Sequence, residues 1–474
     1  MVVSSSIIKE KDGIPEYCRV TGYVLRSAYF EVRLPTSSWN GKFYMGGCGG
    51  LCGKVMDRPG FTNAMNYGLT RKYAVSTTDM GHYGETMWDG LWAYHNRQKE
   101  VDFGYRATHE VARASKSIIE GYYGKAPVHA YFAGCSNGGR QALMEAMRYP
   151  QDFDGILCGA PSLDFTGLMC VHASWIIKAN RGADGKPIIG LDKLELITKA
   201  VYSECDGQDG LTDGIIADPR KVKFDPKSLL CKGADTANCL TAEQVTVLEK
   251  FYGGAKDSSG KQLYPGGMAI GSESFWDIWI IGGAPSPYGG TMPALLTLFN
   301  DGFLRYLAFD TDPDSSYDPN SFNLDTDPAK LKTMSGILDA LSPDLSKFKE
   351  RGGKMIMYQG WADPAVTPFR TVDYYDSVTA KMGGLEKTQE FFRLFMVPGM
   401  SHGQIPPGRG PDDFDPLTAL ENWIEKGVTP ETIIASQKDK EGKLLRTRPL
   451  HPYPKAAKYK GTGSPDDASN FVAE

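Results

Sequence analysis

The chain has 474 residues, 41% hydrophobic and 23% charged, with a net charge of −5. It is too long for one small core, its composition is ordinary for a globular protein, and no Lys/Arg cluster points to a nucleic-acid partner. No apolar run approaches the ~20 residues that span a membrane.

In chain order, Tyr29–Leu34 alternates and reads as a strand. Trp39-Asn40-Gly41-Lys42 is a hairpin-like turn into a second strand, Phe43–Met45, which Gly46–Gly50 ends. Residues 61–70 read as a short helix, Tyr73–Thr78 as a strand, and 101–122 as a helix by apolar spacing. Val128–Ala133 suits a buried strand, Gly138–Met147 a helix, and Phe153–Pro161 another buried strand. Such alternation implies a parallel sheet covered on both faces. From about 163 to 338 the pattern breaks into a block rich in Gly, Asp, Pro and aromatics. It resumes with the strand Lys354–Gly360, a helix near 367–382 and the strand Phe391–Pro398. The expected architecture is one α/β domain built from 1–162 and 339–474, with 163–338 inserted as a lid.

Residues 134–138 read Gly-Cys-Ser-Asn-Gly. Strand, Gly-flanked Ser and helix together form the nucleophile elbow of α/β-hydrolases, with a mostly parallel, doubly wound sheet. A serine hydroxyl needs a base, and the base needs an acid to orient it. The fold's chain order is Ser, then Asp/Glu, then His. Asp363 and His402 each sit just past a strand end, where α/β sites form, so the expected triad is Ser136, Asp363 and His402. His82 also follows a strand but precedes the serine; it reads as a structural histidine or a pocket wall. The oxyanion donors are expected to be Asn137 N–H and the loop after Phe43–Met45, with Gly49 preferred and Cys48 next. Cys48-x-x-x-Cys52 resembles half a zinc site but lacks a second pair, and both read as small residues of a Gly-rich loop. Asp206, Asp209 and Asp213, interleaved with glycines, suit a hard cation, with Leu211 and Ile215 supplying carbonyl oxygens; such a loop is also ordinary turn chemistry. Trp276, Trp279, Phe299, Phe303 and Tyr306 offer an aromatic wall, or equally an ordinary core.

The chain resembles the tannase and feruloyl esterase family. The matching stretches include Asp102–Glu110, Gly121–Gly124, Gly134–Ala142, Arg148–Gly155, Ile14–Val20, Trp39–Gly41, Asp363-Pro364 and Arg448–Pro454. The resemblance covers nearly the whole chain. It implies a serine carboxylic ester hydrolase acting on small aromatic esters, a lid that shapes the pocket, and a structural calcium ion on Asp206, Asp209, Leu211, Asp213 and Ile215. It implies no organic cofactor.

The departures concern cysteine. The family pairs the Cys before the nucleophile with one after the catalytic His, but Gly403 stands opposite Cys135. A C-terminal pair falls on His451 and Ala473. Cys18 lacks its partner, and the pairing of Cys170 and Cys205 is open. Cys231 and Cys239 keep the family's short lid disulfide. The expectation drawn from this is a reducing compartment. The N-terminus lacks a signal-peptide h-region, so an intracellular chain is expected unless a processed form was given a new Met. An intracellular address would shift the substrate towards an aromatic ester or lactone of internal metabolism. A non-catalytic module on the same fold is the reading from another class, and the intact Ser-Asp-His set argues against it.

Overall fold

A computed structural model describes residues 1–24, 27–55, 64–283 and 290–474. Nine strands form its main sheet: β1 (Val2–Ile8), β2 (Tyr17–Val24), β3 (Ala28–Pro35), β4 (Lys42–Gly46), β5 (Ala74–Thr78), β6 (His129–Cys135), β7 (Gly155–Gly159), β8 (Lys354–Gly360) and β9 (Phe392–Val397). Their order is β1-β2-β3-β5-β4-β6-β7-β8-β9. The first four in that order pair antiparallel, and from β5 onward every pair is parallel.

The central strands are apolar throughout because both faces are buried. Side chains alternate between the faces. Phe43, Met45, Ala130, Phe132, Met355 and Met357 enter one core, with the helices Ala107–Tyr123, Asn137–Arg148 and Pro368–Lys381. Tyr44, Tyr131 and Ile356 enter the other, under the helices Ala64–Thr70 and Pro416–Lys426. This is the doubly wound, mostly parallel sheet of an α/β-hydrolase-type fold.

Three local expectations change. The Trp39–Lys42 turn does not pair β3 with β4; β5 lies between them, antiparallel to β3 and parallel to β4. The 101–122 helix divides into a π-helical turn, Asp102–Arg106, and the α-helix Ala107–Tyr123. The 61–70 helix is Ala64–Thr70, with 61–63 outside the described residues. The chain leaves the main sheet after Gly159 and returns at Lys354, and the intervening described residues add no strand to that sheet. That block's helices pack into one apolar core shared with Cys48, Leu51, Met80, Trp92, Phe103, Ala365 and Val366 of the flanking chain.

Candidate active site

Four loops leave the carboxyl ends of β4, β6, β8 and β9, side by side on one edge of the sheet. The turn after β6 holds Ser136 at φ 62°, ψ −123°, a backbone region L-residues rarely enter. The tightness of this turn explains its glycines. A Cβ on Gly134 would lie 2.3 Å from Gly138 O, and one on Gly138 would lie 3.3 Å from the Gly47 backbone. Ser136 N–H donates to Gly159 O at 2.9 Å, and Ser136 O accepts Ser162 N–H at 3.1 Å, tying the elbow to the β7 exit.

Asp363 is buried, and both of its oxygens are used. Oδ1 accepts the Ala365 and Val366 N–H groups, each at 2.8 Å. Oδ2 accepts Gln359 Nε2 at 2.9 Å and hydrogen-bonds His402 Nδ1 at 2.7 Å. Gly360 lets the histidine loop approach, since a Cβ there would sit 2.2 Å from Met400 O. Ser136 and His402 share the wall of a cleft, which Gly49 and Asn137 also line. Its apolar side includes Met87, Phe165, Met169, Trp279, Leu296 and Phe299. The arrangement suits a serine attack with a histidine base, its Nδ1 held by a carboxylate.

The oxyanion expectation narrows. Cys48 does not stand free as a donor, because its N–H goes to Gln141 Oε1 at 3.3 Å. Gly49 is on the cleft wall, and its N–H has no acceptor among the described residues. Reading Cys48 and Cys52 as mere small loop residues was incorrect: they are disulfide-bonded, with Cα atoms 5.6 Å apart. The Gly-rich turn folds back on itself, with Gly50 at φ 57° and Cys52 at φ 59°, which brings the pair within reach. The reducing-compartment expectation did not include this bridge. Cys231–Cys239 is also formed, while Cys18, Cys135, Cys158, Cys170 and Cys205 are free thiols. A Cβ on Gly403 would lie 3.0 Å from Cys135 Sγ, so the two positions do face each other without a second sulfur. Desolvation, and next the charge of Asp363, push the Cys135 thiol up to about 12.

The aromatic wall divides. Trp279 and Phe299 line the cleft, and the Trp279 ring lies 5.1 Å from that of His402. Trp276 and Phe303 do not line it. Trp276 is enclosed, donating to Ser272 Oγ at 2.9 Å against Phe251, and Phe303 packs on Phe165 from behind. Tyr306 meets Tyr94 instead. Ser162, Met87, Met169 and Leu296 join the cleft without any prior sequence signal, since single small or apolar side chains carry no motif whether they sit in a loop, as Ser162 and Met87 do, or on a helical turn, as Met169 and Leu296 do. His82 is buried and structural: it stacks on Trp92 at 3.6 Å and bonds Leu51 O, and desolvation lowers it to about 4.

In the 205–215 loop, Asp206 accepts the N–H groups of Asp213, Gly214 and Ile215. Asp209 accepts those of Leu211 and Ala217, and Asp213 pairs with Arg448 at 2.6 Å. Among the described residues, two sets of three His, Cys, Asp or Glu ligand atoms lie within 4.8 Å of one another, Cys231/Asp235/Cys239 and His109/Glu145/Asp152; the loop is not one of them. Its donors are all oxygens and fit a hard cation by type, but the Asp206 and Asp209 carboxylates face backbone N–H groups and that of Asp213 faces Arg448.

The family model described as tannase and feruloyl esterase matches residues 18–473. An uncharacterised esterase of Xanthomonas campestris pv. campestris is 36% identical over 97% of this chain and 85% of its own length. A mono(2-hydroxyethyl) terephthalate hydrolase of Piscinibacter sakaiensis is 32% identical over the same shares, 97% and 85%. The crystal structure of feruloyl esterase B from Aspergillus oryzae superposes with a TM-score of 0.86 at 25% identity, covering 100% of this chain and 96% of that one. No described helix is long and apolar enough to cross a membrane.

Proposed function

The chain belongs to the tannase and feruloyl esterase family, and we propose that it cleaves esters of aromatic carboxylic acids through Ser136, His402 and Asp363. It is a carboxylic ester hydrolase; the triad and the acyl group are the parts proposed. The observation that carries the reading is the 2.7 Å contact of His402 Nδ1 with Asp363 Oδ2, behind a cleft that His402 shares with Ser136.

In this mechanism Asp363 fixes the tautomer with a proton on His402 Nδ1, so that Nε2 is the base. His402 takes the Ser136 proton as the oxygen attacks the ester carbonyl. The tetrahedral oxyanion is held by Asn137 N–H, at the start of a helix, and by Gly49 N–H. The imidazolium protonates the leaving alcohol, and water then releases the acid from the acyl-enzyme by the same steps. Trp279 and Phe299 offer ring faces to an aromatic acyl group. The names of two relatives, a feruloyl esterase and a terephthalate monoester hydrolase, both denote aromatic acyl groups.

Residues 163–338 act in this reading as the lid over the cleft. A calcium ion in the lid would be held by the Asp206, Asp209 and Asp213 side chains and the Leu211 and Ile215 carbonyls. It would neutralise their charge and stiffen the loop packed against the His402 segment, where Ile215 would lie 3.0 Å from a Cβ on Gly410.

Ser136→Ala is expected to abolish the burst of aryl alcohol in rapid mixing with an aryl ester; an unchanged burst refutes the nucleophile. A panel of methyl hydroxycinnamates, galloyl esters and phenolic lactones tests the acyl group. Equal rates on short aliphatic esters would remove the aromatic reading.

A further inference from the structure

We propose that Gln141 and the Cys48–Cys52 disulfide are positioning elements for the oxyanion donor Gly49, and that reducing this disulfide slows acyl transfer. The inference rests on the reading of Ser136 as nucleophile.

β4 ends in Gly46, and the loop after it contains Gly47, Gly49 and Gly50. Such a run has little rigidity of its own, yet an oxyanion donor is effective only if it is already in place when charge develops. What restrains the loop comes from the helix that follows the nucleophile. Gln141, 2% exposed, accepts Cys48 N–H at 3.3 Å on Oε1. Its Nε2 donates back to Cys48 O at 3.4 Å and lies 3.2 and 3.5 Å from the Cys48 and Cys52 sulfurs. Asn137, one turn earlier on the same helix face, places Nδ2 3.2 Å from Cys52 Sγ. The residue expected to supply one oxyanion N–H therefore also touches the bridge that frames the other.

The bridge closes a small ring around Gly49. Cys52 N–H donates to Gly49 O at 3.1 Å, so the covalent link and a backbone hydrogen bond fasten the same turn. On its far side the turn is held by Leu51 N–H to Met87 O at 2.7 Å and by His82 Nε2 to Leu51 O at 2.8 Å. Neither of those contacts restrains Gly49 directly. Removing the Cys48–Cys52 bond frees the segment that bears the donor while leaving the elbow and the His402–Asp363 pair intact.

The reductant in the test is a dithiol. Its thiolate attacks one sulfur of the pair and forms a mixed disulfide, which its second thiol then displaces. Cys48 and Cys52 leave as thiols with two protons, and the reductant carries away the two-electron oxidation as its own disulfide. Both sulfurs are buried, so this exchange follows opening of the turn.

The test compares wild type, Gln141→Ala, Cys48→Ser/Cys52→Ser and Cys231→Ser/Cys239→Ser with an aryl ester, with and without dithiothreitol, and scores the thiols by mass spectrometry. In Gln141→Ala and in the Cys48/Cys52 double variant, kcat is expected to fall ~10–100-fold, below the 10²–10³ of losing a donor outright, with KM within about threefold. The affinity of an aryl boronic acid, which forms a tetrahedral adduct on the serine, is expected to fall in parallel with kcat; loose folding alone would not give that correlation. The Cys231/Cys239 variant is expected to keep its sensitivity to dithiothreitol, and the Cys48/Cys52 variant to have none left. Wild-type kcat in the Cys48/Cys52 variant, or unchanged kcat in wild type whose Cys48 and Cys52 are shown to be reduced, overturns the proposal. Absence of any ester hydrolysis by wild type would instead count against the functional reading beneath it.

Discussion

Replacing Asp363 by Asn is the sharpest perturbation of the site, because every lone pair of that carboxylate has an assigned partner. Oδ1 faces two backbone N–H groups, from Ala365 and Val366. An Asn side chain must put its carbonyl oxygen there, since an NH₂ facing two donors would leave three polar groups unpaired. The amide NH₂ is then forced into the Oδ2 position, against Gln359 Nε2 and His402 Nδ1. His402 can accept that N–H only as the tautomer protonated on Nε2, and an Nε2–H cannot take the proton of Ser136. Loss of the tautomer in a triad of this geometry lowers kcat by ~10⁴, or about 5 kcal/mol of transition-state stabilisation. The displaced Gln359 adds a stability loss of about 1–3 kcal/mol. Steady-state hydrolysis of an aryl ester measures the first, and a chemical melt the second. KM should stay near its wild-type value. A variant within tenfold of wild-type kcat would show that Asp363 does not set the histidine tautomer.

Other outcomes follow from single contacts. Trp279→Ala is expected to raise KM for an aromatic ester with little change in melting temperature, whereas Trp276→Ala, fully enclosed, should lose ~3–5 kcal/mol of stability and leave KM alone. Glu145 is buried beside Asp152, and burial first, then the Asp152 charge, raise its carboxyl well above the usual range. The folded state therefore holds a proton that the unfolded state releases, and this contribution is present below the unfolded value of about 4.3 and lost as pH rises through the folded one. Glu145→Gln should gain stability relative to wild type at pH 8, and the gain should shrink towards pH 4 in parallel denaturation series. Chelation is expected to lower the melting temperature and calcium to restore it, by ~2.7 kcal/mol at a hundredfold excess over Kd; a curve indifferent to both would dismiss the ion. Thiol titration of the denatured, unreduced chain should find the five free cysteines.

Much of the sheet was legible because its central strands are short, apolar on both faces and closed by glycine, and their helices carry regular spacing. The strand-end positions of Ser136, Asp363 and His402 were legible for the same reason: each residue follows a strand whose pattern is clear. The antiparallel edge was not. β1 reads Val-Val-Ser-Ser-Ser-Ile-Ile and is almost wholly exposed, so no buried face marks it. The place of β5 between β3 and β4 is a tertiary choice that local turn chemistry cannot register. The Cys48–Cys52 bridge was missed because a four-residue spacing fits a disulfide only when glycines let the chain reverse. Trp276 and Trp279 have identical chemistry three positions apart, and the π-helical turn Asp277–Ile281 with its flanking contacts decides which one meets the cleft.

The adjacency of β7 and β8 across the inserted block also bears on how the protein comes to be active. Ser136 is encoded before the block, and Asp363 and His402 after it. Pairing Gly155–Gly159 with Lys354–Tyr358 closes a loop of roughly 190 residues, an entropic demand of about 5 kcal/mol for a flexible chain. A block that collapses first shortens that loop to the distance between its ends. Newly made or refolding chains should then gain hydrolytic competence late, well after most of their helix has formed, with the insert's own collapse setting the pace.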